Sequence, residues 1–140
     1  MTLNKKIKDK KVNFEFNKEY IKVVTDKIVN NDALFITNSF KEMHPADAAD
    51  IIEHLSLSDR ESLIKLNNFK IDPDVFIELN ESVQSEIIKY LSSDSIVSIL
   101  KNLDSDDAIM VLENVDEKDK NTILSALPPK DRFALLEGLS

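Results

Sequence analysis

The chain has 140 residues, 42% of them hydrophobic and 31% charged, with a formal net charge of −8, one glycine and no cysteine. The lack of cysteine excludes disulfides, thiolate metal sites and thiol nucleophiles, and a single glycine leaves little room for phosphate-cradling loops or the tight turns of a β-rich fold. Residues 1–40 carry 8 basic and 5 acidic side chains (+3) while residues 41–140 carry 10 and 21 (−11), a field that opposes nucleic acid and anionic lipid and favours cations or a basic partner.

Residues 1–18 are polar and lysine-rich, aperiodic apart from Val12, Phe14 and Phe16, and read as a flexible basic leader. The helical domain is expected over residues 19–140. From Glu19 the spacing of Tyr20, Val23, Val24 and Ile28 predicts a first helix, and Asn30-Asn31-Asp32 supplies a turn and N-cap for a second, from Ala33 to about Glu42. No apolar run approaches the ~20 residues that a membrane-spanning helix needs.

From position 43 onward the sequence repeats every twelve residues. One column runs Met43, Leu55, Asn67, Leu79, Leu91, Leu103, Val115, Leu127, Leu139. A second runs Ile51, Leu63, Val75, Ile87, Ile99, Val111, Ile123, Leu135, and a third Ile52, Ile64, Phe76, Ile88, Leu100, Leu112, Leu124, Leu136. Only Asn67 is polar. The i, i+1, i+4 spacing within each unit puts these side chains on one stripe of a helix, whereas in a strand it would scatter them over both faces. Segments such as Ser92-Ser93-Asp94 and Asp104-Ser105-Asp106 between the stripes are rich in helix-start residues. The expected fold is all-α, about ten short helices in a superhelix, with Ile51, Leu63, Ile87, Ile99, Leu100, Leu112, Leu124 and Leu136 in its core. Pro45 and Pro128-Pro129 mark first helical turns, whereas Asp72-Pro73-Asp74 falls out of step and predicts a longer loop and a short helix in the unit 67–78.

No constellation of catalytic residues stands out, so an enzyme is not expected. The two histidines, His44 and His54, lack metal-site spacing and read as surface or capping residues. The most cation-friendly cluster is Asp104-Ser105-Asp106-Asp107, which serves equally well as an ordinary helix start. Asp72, Asp74, Glu78 and Glu81 form a second acidic group, and Asp116, Glu117 and Asp119 a third.

The stretch Met43-His44-Pro45-Ala46-Asp47-Ala48-Ala49-Asp50-Ile51-Ile52-Glu53-His54-Leu55 resembles the opening of the cytosolic N-terminal domain of MgtE-type magnesium transporters. Leu103-Asp104-Ser105-Asp106-Asp107-Ala108 is similar to that family's acidic helix head, and Asn31-Asp32-Ala33-Leu34 to its turn, with Asn31 in place of the usual glycine. The resemblance, which covers about residues 20–140, implies a right-handed superhelix on the cytoplasmic side of the membrane. It also implies a following pair of CBS modules, a membrane domain and a homodimeric transporter. In such a protein, Mg²⁺ bound between the acidic residues of this domain and the CBS modules holds the ion path closed. Carried over by position, the ligands implied are Asp106 and Asp107, with Asp104 beside them, and Asp74. Met110 stands where a further acid is common. The competing reading is a helical-repeat interaction scaffold, similar to helical domains of the flagellar motor switch, that docks a basic partner without any ion.

Overall fold

A helix of eight or nine residues is marginal in water, where about 12–15 are needed, so each short unit here must be held by its neighbours and by its caps. The computed structural model, which describes residues 10–67 and 69–139, shows how both are arranged. Among the described residues there are ten helices and no strand. They are α1 (Lys10–Val29), α2 (Ala33–Lys41), α3 (Pro45–His54), α4 (Leu57–Ile64), α5 (Pro73–Glu78), α6 (Glu81–Ile88), α7 (Ser93–Lys101), α8 (Ser105–Glu113), α9 (Glu117–Ala126) and α10 (Pro129–Leu139). None is long and apolar enough to cross a membrane. Helix α1 begins at Lys10, ahead of the start expected near Glu19, and residues 1–9 of the expected leader lie outside the described residues.

The helix starts keep the twelve-residue rhythm. His44, Ser56, Asn80, Ser92 and Asp104 occupy N-caps with extended backbone, and each side chain accepts a hydrogen bond from an N–H of the first turn. Where the next cap would fall at position 68, the start instead slips to Asp72, which accepts from the Asp74 N–H ahead of the six-residue α5. The longer loop and short helix expected around Pro73 are therefore present.

The helix ends follow a second rhythm that the sequence reading did not anticipate. The side chains of Asn30, Asn102 and Asn114 donate to the carbonyls of Asp26, Ser98 and Met110, each four residues back. His54 does the same to Asp50 at 2.7 Å, which places the proton on its Nδ1 because a carbonyl can only accept. His44 Nδ1, by contrast, accepts from the Ala46 N–H. The two histidines thus cap opposite ends of α3.

The chain divides into two compact units, Met1–Lys70 and Ile71–Ser140. In the first, α1 packs against α2, α3 and α4, burying Val24, Ile28, Ile36, Ile51, Ile52 and Leu63. Arg60 is also buried, and its guanidinium donates to the carbonyls of Ile52, Glu53 and Leu55 at 3.1–3.3 Å. A cation is well placed there, since it adds a donor to the carbonyls at the end of α3 and meets the negative pole of its dipole. Asn67 is exposed, and burial passes to Leu66 and to Phe69, whose ring meets Phe40 edge to face at 6.1 Å.

In the second unit alternate helices pack together, α5 on α7, α7 on α9 and α8 on α10. Val75, Ile87, Ile99, Val111, Ile123 and Leu135 of the second column are all buried here, as are Phe76, Ile88, Leu100, Leu112 and Leu124 of the third. Gln84 repeats the device of Arg60, its buried amide donating to the Phe76 carbonyl at 3.0 Å. One core expectation is corrected: Leu136 is 48% exposed, next to Phe133 at 65%. Both lie on α10, the last of the described helices, where Leu135 is buried instead.

Arg60→Ala would remove a donor shared by three carbonyls, of which that of Ile52 keeps the Leu55 N–H, and should cost about 1–3 kcal/mol. Lys120→Ala, at the equivalent repeat position but bonded only to the exposed Glu117 among the hydrogen bonds resolved here, should cost less than about 1 kcal/mol. Urea unfolding of both variants decides the point: equal losses would show that Arg60 does not tie α3 to the unit.

Candidate metal site at the acidic helix heads

The second unit, residues 71–140, carries 15 acidic and 6 basic side chains, a net −9, and most of the acids stand in loops and first turns. This follows from capping: the N–H groups and positive dipole end of each helix favour carboxylates at its head. Any cation site in this unit must be built from groups that already serve the helices.

Asp104 shows the overlap. It is the N-cap of α8, and its Oδ1 accepts the Asp107 N–H at 3.1 Å. Asp106 is exposed and Asp107 half-buried in the same first turn. The Asp107 carboxyl is held above its ordinary value by partial desolvation, then by the Asp104 charge and hydrogen bond and the charge of Asp106. A cation placed among the three would relieve that repulsion. One turn on, Met110 is 44% exposed, and its thioether is too soft to complete an oxygen site for Mg²⁺.

Asp74 lies at the head of α5, exposed, with its N–H donated to Asp72. The Asp104–Asp107 group heads a different helix, α8. Among the described residues no three carboxylates or histidines converge on a point where they could hold a metal ion together. These groups are separate clusters of exposed carboxylates. Such a donor set suits a hard, hydrated cation taken through one or two oxygens.

The sequence reading gave no special weight to Asp116, which the structure sets apart. It stands at the N-cap of α9 with φ −60° and ψ 147°, yet its carboxylate makes no cap hydrogen bond. Asp104 and Asp116 are the same residue at the same position of the repeat, so no local signal in the sequence separates the engaged carboxylate from the disengaged one.

The family described as the MgtE intracellular N domain matches residues 43–140. No curated protein sequence matches the chain. A solved structure described as the crystal structure of the soluble part of a magnesium transporter superposes with a TM-score of 0.67 at 17% identity, covering 86% of this chain and 48% of that one. The chain therefore spans about half the length of that structure and shares its fold.

Asp104→Ala should destabilise the unit by about 0.5–2 kcal/mol, the usual loss on removing a cap, whereas Asp116→Ala should cost distinctly less. Asp107 adds a pH test. A carboxyl whose folded pKa is raised contributes stability that is complete below its unfolded pKa and is lost as pH rises through the folded one. Asp107→Asn should therefore flatten the fall in stability between the acidic range and neutrality, read by thermal melts across pH. A variant profile that overlays the parent's would remove the repulsion inferred among the three aspartates.

Proposed function

The chain belongs to the family of MgtE intracellular N domains, and from that premise we propose that it is the cytosolic Mg²⁺-sensing domain of an MgtE-type magnesium transporter. Asp106 and Asp107, with Asp104 beside them, and Asp74 on its own helix head, are the carboxylates it presents. The observation that carries this reading is that the acids gather at exposed helix heads in excess of what capping uses, while no three of those described converge on a metal.

Mg²⁺ gives up its water reluctantly and is held by one or two carboxylates, so heads of this kind bind weakly alone and gain when a facing surface supplies more oxygen. CBS modules of the same polypeptide, in a homodimeric transporter with its membrane domain, are the proposed facing surface. A state in which the two surfaces meet is then favoured by the additional ions it binds, and it is lost when Mg²⁺ falls. The −9 charge of the second unit contributes repulsion that the ions offset and raises their local concentration.

The test is Asp106→Asn with Asp107→Asn in the full transporter. Asparagine leaves the cap at Asp104 untouched and removes two charges. Protection of the linker after this domain against protease should then require several-fold more Mg²⁺, with no such change when Na⁺ is raised to the same ionic strength. An unshifted Mg²⁺ dependence in a folded double variant would reduce these aspartates to helix-start residues.

A further inference from the structure

Among the described residues of the second unit, three large hydrophobic side chains are exposed, and two of them, Phe133 and Leu136, stand one turn apart on α10. Leu135 is buried, so this pair forms an apolar stripe on the side of α10 that faces away from the core of the unit.

The charges on α10 run against its own dipole. Its first turn carries Lys130, Asp131 and Arg132, a net +1, while its last turn holds Glu137 and no basic residue. A helix by itself favours the reverse, acids at the head and bases at the tail. No other helix of this unit has a net positive first turn. Lys130 and Glu137 are both exposed and seven residues apart, so they lie at nearly the same angle round the helix, on one flank of the stripe.

That pattern is self-complementary for one neighbour. When a second α10 lies antiparallel across the stripe, related by a two-fold axis, the like flanks of the two helices meet, and Lys130 of each copy faces Glu137 of the other. Each charge then also sits beside the end of the neighbouring dipole that favours it, Lys130 near the partner's tail and Glu137 near its head. A parallel copy would set both charges against both dipoles. The chain as a whole is at −8 and its acidic heads repel a second copy, but the charged residues of α10 sum to zero, so approach along this helix meets little opposition.

We propose that α10 pairs antiparallel with α10 of a second copy of this chain, with Phe133 and Leu136 as the apolar seam and two Lys130 to Glu137 ion pairs along its edge. Each copy presents the same patch, so the contact closes as a two-fold dimer. A face of an 11-residue helix covers less than the roughly 1,200 Å² of a stable interface, so the dimer is weak. The pairing is separate from the acidic helix heads and holds whether or not they sense Mg²⁺.

Sedimentation of the chain from about 10 μM to about 1 mM, at about 0.15 M salt, should show the mass rising towards that of a dimer. Phe133→Ser, Lys130→Glu and Glu137→Lys should each lower the association constant about tenfold while melting like the parent, since all three side chains are exposed. The two charge reversals move the net charge in opposite directions, so a loss in both cannot come from overall repulsion. Mixing Lys130→Glu with Glu137→Lys in equal amounts restores both ion pairs and should restore association. A monomer at every concentration, the result if a different partner covers this face, overturns the proposal. So does a Lys130→Glu variant that associates like the parent, or a mixture no tighter than either variant alone.

Discussion

The constraint on which the rest depends is that no repeat of this chain is long enough to be a stable helix. Most of the helices have six to eleven residues, and burial of the second and third columns against other helices supplies what length cannot. In the second unit that burial comes from alternate helices, as α7 meets both α5 and α9. A residue such as Ile99 or Leu112 therefore supports more than its own turn, and the loss is felt along the array.

Short helices also have a high ratio of ends to middles, so polar side chains at the ends carry much of the specification. Serine, asparagine, aspartate and histidine serve the starts, asparagine and histidine the last carbonyls, and the buried Arg60 and Gln84 reach back to the helix before them. The anionic character of the second unit is partly a by-product of this economy of ends. A cation-binding role could arise there by adding acids to heads that already favoured them, as Asp106 and Asp107 do beside Asp104.

Much of this was legible because burial imposes a period. Every second-column residue from Ile51 to Leu135 is buried, and Pro73 marks the slipped start. Leu136 was misread because a period marks a shared stripe but not how much of that stripe a neighbouring helix covers in each unit. The Arg60 and Gln84 contacts escaped because their position in the repeat also holds alanine, aspartate, isoleucine and lysine, and arginine returns there only at Arg132, so no steady residue type marks a role. The cap positions were legible in outline, but the difference between Asp104 and Asp116 depends on backbone and rotamer detail that identical residues conceal. For the candidate site, the sequence located the acids, while the geometry showed that no three described carboxylates or histidines meet.

The most direct measurement is the Mg²⁺ affinity of this chain alone against that of the full transporter, by calorimetry at fixed ionic strength. Half-sites completed by a facing surface should bind weakly in the isolated chain, in the millimolar range or above, and at least tenfold more tightly in the full protein. Equal affinity in the two, or a tight site in the isolated chain, would contradict the view that these helix heads sense Mg²⁺ only together with a partner surface.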